Sequence, residues 1–181
     1  MPLTDDISIN IDAQSFMDMS VDGALFSEDR VYRYLLRREI WVQRTTCLFI
    51  MLNPSTADEV KNDPTVTRCI NFARHWGFGR LEVCNLFAYR ATNPKELYDL
   101  ETLGQVIGPD NDMHIRHAIE RADRVVCAWG NHGTLFGRGI FIREAIRLQG
   151  KFPLAFKITQ KGQPIHPLYQ KANADLIAWK A

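Results

Sequence analysis

The sequence predicts an α/β fold, a three-layer αβα sandwich with a mostly parallel central sheet. Two observations carry the prediction. Four short apolar runs, residues 47–52 (CLFIML), 81–87 (LEVCNLF), 125–128 (VVCA) and 154–158 (LAFKI), each lead into a polar cluster. Between them lie stretches whose apolar residues recur at helical spacing. Strands that read as near-continuous apolar runs are buried on both faces, and their alternation with amphipathic helices is the pattern of a parallel sheet covered on both sides. In such a sheet, ligands bind at the carboxyl edge. The four polar clusters are therefore expected to meet at one place.

Taken in chain order, residues 1–29 are rich in Asp and Ser without periodicity and read as an irregular arm. Residues 31–38 (VYRYLLRR) alternate loosely, as a half-exposed edge strand does. A short turn would pair this strand antiparallel beside the 47–52 strand. Asp63-Pro64-Thr65 is a helix start, with Asp at the cap and Pro at the first helical position. Val66, Cys69, Ile70, Ala73 and Trp76 then fall on one face, and Gly77 ends the helix. Asn93-Pro94-Lys95-Glu96 is a second capped start with Glu at the capping-box position. Gly108-Pro109-Asp110 precedes a helix to about Arg121, another covers about 139–148, and a last one is expected from Pro167 towards Trp179. Without repeat or linker, residues 30–181 form one domain.

Composition sets the outer bounds. An apolar content of 46% in 181 residues suffices for a sizeable core. The balance of 22 basic and 21 acidic residues neither demands nor excludes a nucleic-acid partner. Cys47, Cys69, Cys84 and Cys127 sit in apolar patterns with no C-x-x-C spacing, so buried thiols are expected rather than disulfides or a metal site. No apolar run is long enough for a membrane span and no signal peptide is present, so a cytoplasmic protein without a membrane partner is expected.

The polar clusters supply the chemistry. In the first, Pro54 restricts Asn53 to extended backbone and holds its amide at the strand end, while Ser55, Thr56 and Asp58 add two hydroxyls and a carboxylate. Asp63 reads as a cap rather than a catalyst. In the second, Asn85 interrupts an apolar strand and presents a donor and an acceptor suited to a base edge. Phe87 and Tyr89 stack on a planar ligand or belong to the core, and Arg90 suits a phosphate or carboxylate. In the third, Trp129-Gly130-Asn131-His132 offers either a backbone anion site or a plain loop. In the fourth, Pro164 and Pro167 bracket His166, and the helix start beside it favours a neutral imidazole.

The segments MLNPSTAD, DPTVTRCINFA, NLFAYRATNP, AWG and HPLY closely resemble domain-of-unknown-function family 1643, from about Tyr32 to the end of the chain. More distantly, the layout resembles the uracil-DNA glycosylase superfamily. Asn53-Pro54 is similar to its first motif, Asn85 to its base-reading position, Trp129-Gly130 to its third segment and His166-Pro167 to its last. Two positions depart from that pattern. Met51 and Ser55 stand where small glycines often flank the first motif, and Leu168-Tyr169 follow Pro167 where a phosphate-binding serine is expected.

The resemblance implies a uracil-DNA-glycosylase-like architecture and an N-glycosidic-bond hydrolase acting on a nucleobase in nucleic acid or a nucleotide. Asn53, Asp58 and His166 are then catalytic. Pro54, Ser55, Thr56, Asn85, Phe87, Tyr89, Arg90, Trp129, Gly130, Pro167 and Tyr169 bind the base or the rest of the ligand, and no metal or cofactor is required. The alternatives are a non-catalytic binder of nucleotides or modified bases, and a Mg²⁺-dependent phosphoryl-transfer enzyme using Asp58 and Asp63.

Overall fold

The computed structural model describes residues 22–180. Of the expected N-terminal arm, residues 1–21 lie outside these, and Gly23–Phe26, read as irregular, is a strand. Strands β1 (Gly23–Phe26), β2 (Arg33–Glu39), β3 (Thr46–Met51), β4 (Arg80–Asn85), β5 (Arg124–Cys127), β6 (Pro153–Ala155) and β7 (Ile177–Ala178) form one sheet. Its order is β1-β2-β4-β3-β5-β6-β7. The central strands β4, β3, β5 and β6 run parallel, and the outer pairings are antiparallel. The helices are α1 (Pro64–His75), α2 (Leu103–Ile107), α3 (Asn111–Arg121) and α4 (Arg138–Leu148).

Alternation along β3 builds both cores. Leu48 and Ile50 pack with Ile115, Ile119, Ile142 and Ile146 from α3 and α4. Cys47, Phe49 and Met51 pack on the other face with Val66, Cys69, Phe72 and Ala73 of α1. The connection from β3 to β4 thus covers one face, while those from β4 to β5 and from β5 to β6 cover the other. β3 and β5 are neighbours whose onward connections diverge, and such a switch point opens a crevice at the strands' carboxyl ends.

α1 follows its sequence signals. Asp63 Oδ1 accepts from Val66 N at 2.8 Å, Pro64 opens the first turn, and Gly77 beyond the C-cap takes a φ of +78°. The capping box at Asn93 and Glu96 forms, but it opens a 3₁₀ turn, Pro94–Tyr98, and not an α-helix. All four cysteines are free and buried. Among the described residues, no helix is long and apolar enough to cross a membrane.

β2 is not a half-exposed edge strand but lies between β1 and β4, buried along nearly its whole length. It pairs with β4, not with the 47–52 strand, and its Arg37 lies opposite Glu82. Glu82 takes hydrogen bonds from Arg37 and from Arg121 of α3, and that buried charge network is satisfied only if β2 lies beside β4. The expected last helix is only a 3₁₀ turn, Pro167–Tyr169, and the chain then returns as β7 against β6. Burial of Trp179 against Trp129 and the bond from Trp179 N to Pro153 O (2.8 Å) outweigh the helix-start signal.

A bulge in β2 sets the face on which Arg33 lies. Leu25 lies opposite Leu35 and Phe26 opposite Arg33, so Tyr34 is the extra residue. Tyr34 stacks on His114 of α3, and Leu35 also faces the α3 and α4 core. The bulge therefore turns Arg33 to the opposite side, where it donates to Ala57 O at 2.8 Å.

His114 gives a pH-dependent stability. Burial pushes its imidazole from 6.5 down to about 4, opposed in part by Asp110. The unfolded chain therefore binds this proton first as pH falls. The stabilisation is complete above about 6.5 and is lost down to about 4, on the order of 3 kcal/mol in all. Urea midpoints measured from pH 7 to 4.5 are expected to fall in the native protein. That part of the slope is expected to flatten in His114→Phe.

Candidate functional site

The chain leaves β3 through Leu52-Asn53-Pro54, and backbone ties fix the asparagine. Asn53 Nδ2 donates to Ala91 O at 2.7 Å and Pro54 O at 3.1 Å, and Ala91 N donates back to Pro54 O at 3.0 Å. Two carbonyls on one side of the amide set its orientation, leaving Oδ1 as an acceptor. No donor among the described residues reaches that oxygen.

Asn53 opens on a cleft of about 440 Å³ at the carboxyl ends of β3 and β5. Ser55 joins it from the same loop, and Asp63 and Thr65 from the start of α1. Thr92 reaches it from beyond β4, Gly130 and His132 from beyond β5, and His166 and Tyr169 from the last loop. Residues from all four polar clusters thus border one cavity, and Asn53 and His166 share it.

His166 caps the Pro167–Tyr169 turn, and its Nδ1 accepts from Leu168 N at 3.4 Å. A ring nitrogen that accepts carries no proton, so the neutral imidazole bears its hydrogen on Nε2. Burial pushes its pKa below the ordinary histidine value, and the charge of Asp63 works the other way. The ring is consequently a neutral donor at physiological pH.

Arg33 lies in the cleft wall, only 2% exposed. Burial lowers its pKa to about 10, against the opposing charge of Asp63, and it stays cationic at neutral pH. Among the described residues, no carboxylate lies within ion-pair distance of it and its Nε has no hydrogen-bond partner. Its Nη2 reaches Asn85 Oδ1 at 3.5 Å, and Asn85 Nδ2 is likewise unpaired. Buried donors left unpaired cost on the order of 1–3 kcal/mol each. Two side by side beneath a cleft suit an acceptor-rich ligand or bound water.

The other expected residues divide by position. Asp58 does not border the cleft. Its Oδ1 accepts from Val60 N (2.9 Å) and Lys61 N (2.7 Å), which hold its carboxyl below the usual range and make it a loop tie. The pair Asp58 and Asp63 is therefore not joined at one site. Phe87 is fully buried in the core shared with α3 and α4, and Asn85 is buried behind Arg33. Thr56, Tyr89 and Arg90 border a neighbouring cleft. Pro54 and Pro167 shape their loops from buried positions.

The third cluster serves mainly as scaffold. Trp129 borders the cleft, but its ring is buried on Trp179 and its Nε1 donates to Gln163 at 2.9 Å. Gly133 lies so close beneath that indole that a Cβ would sit 2.0 Å from the ring. Gly130 N donates to Pro164 O at 2.7 Å, which removes it as an anion donor. The exposed aromatic at the rim is Tyr169, 79% accessible and tilted against His166.

Sequence reasoning missed Arg33, placed Thr92 and His132 in polar clusters without giving them a role, and read Asp63 as a cap rather than a catalyst in the glycosidase reading. Asp63 caps α1 through Oδ1 and also borders the cleft. Residues 33–168 match the model of a family described as protein of unknown function (DUF1643). No curated protein and no solved structure matches the chain.

Proposed function

The chain belongs to the DUF1643 family, whose description carries no activity, and from its cleft we propose that it hydrolyses an N-glycosidic bond to a nucleobase in nucleic acid or a nucleotide. The observation that carries this reading is the meeting of Asn53, Asp63 and His166 in one cavity. The likeness of Asn53-Pro54, Trp129-Gly130 and His166-Pro167 to uracil-DNA glycosylase motifs supports it, and a glycosylase-like architecture is part of the proposal.

Breaking the bond leaves negative charge on the departing base and positive character on the sugar. His166 Nε2–H donates to the base as that charge develops, and Arg33 adds a fixed cation from the wall. Asn53 Oδ1 holds the attacking water, and the carboxylate of Asp63, in place of Asp58, takes its proton. Tyr169 stacks on the base from the rim. A base within a duplex would have to leave its stack to enter.

Oligonucleotides and nucleotides bearing uracil, hypoxanthine or alkylated bases are the test, with free base quantified. Release is expected from at least one of them, and Asn53→Ala is expected to abolish most of it. No release from any substrate at high enzyme concentration overturns the proposal.

A non-catalytic binder of nucleotides or modified bases is the second reading. It is favoured by the engagement of Asp63 Oδ1 in capping α1, which commits one of the two carboxylate oxygens to structure. A ligand that raises the melting temperature and is recovered unchanged supports that reading.

A further inference from the structure

A second cleft of about 420 Å³ adjoins the first and shares Ser55, Ala91 and Thr92 with it. Its polar side chains are donors or hydroxyls: Arg30, Arg90, Ser55, Thr56, Tyr89 and Thr92. No Asp or Glu among the described residues lines it.

The two arginines are built into place. Arg30 has a φ of +59°, a region that side-chain-bearing residues rarely occupy. Its N–H donates to Ser27 O at 2.9 Å, and its carbonyl accepts from Arg90 Nη1 at 3.0 Å. Both guanidinium carbons lie over the ring of Phe26, at 4.0 and 4.9 Å from its centroid. Arg30 has a carboxylate, Glu59, at 2.6 Å. Arg90 has none within ion-pair distance among the described residues, and its buried Nε has no hydrogen-bond partner. Two guanidinium groups held on one ring, one without a counter-charge, call for an anion in the space before them.

We infer that this second cleft is a phosphate subsite, so that the ligand is a phosphorylated nucleoside whose base enters the first cleft and whose phosphate seats on Arg90. The phosphate identity rests on the cleft alone; the pairing with a base rests on the function proposed above. Ser55 and Thr92, common to both clefts, would contact the sugar between them. The strained turn at Arg30 keeps the guanidinium pair assembled before the ligand arrives.

The first arm of the test titrates inorganic phosphate into the protein at low salt by calorimetry. Binding is expected in the native chain, weakened at least about tenfold in Arg90→Gln and unchanged in Arg74→Gln, an arginine on the outside of α1. Phosphate affinity that is absent, or that survives Arg90→Gln, overturns the inference. Should Arg90→Gln fail to fold, Thr56→Val, which removes a hydroxyl that lines the second cleft and not the first, is expected to weaken phosphate several-fold, and an unchanged affinity overturns the inference in its place. The second arm compares common nucleosides with their 5′- and 3′-monophosphates. A monophosphate is expected to bind at least about tenfold more tightly than its nucleoside, and Arg90→Gln is expected to close that gap. Equal affinity overturns the link between the clefts. Neither arm requires base release, so a failed glycosidase assay and a failed phosphate site are separate results.

Discussion

Replacement of His166 by alanine is expected to lower base release by about 10²–10³-fold, the loss typical of one donor aimed at developing charge. The fall should appear equally in kcat and kcat/KM, because the bond strengthens only as the base departs. His166→Gln can still donate and should recover part of the rate. Acidification gives a second signature. Burial holds the imidazole neutral below the ordinary histidine range, so activity should persist through about pH 6.5. On further acidification Nδ1 gains a proton and faces the Leu168 N–H as donor to donor, and the ring loses its seat. A kcat that tracks an unperturbed histidine would count against this role.

Glu82→Ala is expected to be the most damaging change to stability. The side chains of Glu82 and Arg37 are both completely buried, with Nη2 to Oε1 at 2.9 Å, and Arg121 closes on Oε2 at 2.7 Å. Removing the carboxylate breaks a fully buried ion pair inside the sheet, which costs about 3–5 kcal/mol. Against a total of roughly 5–15 kcal/mol for a domain, that brings the fold close to its limit. The denaturant midpoint measures it. The double change Glu82→Leu with Arg37→Met should recover much of the loss, because neither charge then remains to be solvated. A midpoint unmoved by Glu82→Ala would mean that the network contributes nothing.

These two sites mark where the sequence is legible and where it is not. Strands β2 to β6, the Asp63 cap of α1 and the Asn93 capping box follow from local patterns, because each is specified by residues close together in the chain. The orientation of side chains on the central strands does not follow. β3 and β4 are covered on both faces, so apolar residues occupy both and alternation carries no label for inside or outside. That is why Phe87 reads as a stacking residue and lies in the core, and why Asn85 reads as facing the ligand and lies behind Arg33. Arg33 itself is hidden by the bulge at Tyr34, since strict alternation would place it with Leu35 and Arg37. Proline before an apolar stretch suggested a last helix, but the long-range pairing of β7 with β6 determines that segment. Asp58 and Asp63 are equivalent as letters in a polar loop. Only the folded loop shows that backbone amides tie down the first while the second borders the cavity.

The central claim is that Asn53 and His166 act on one and the same ligand across a single cavity. A double-mutant cycle on single-turnover base release tests it most directly, using Asn53→Ala, His166→Ala and the pair. Groups that serve one transition state are non-additive, and the pair is expected to cost little more than the worse single change. Fully additive losses, or a native rate that neither substitution alters, would contradict the claim.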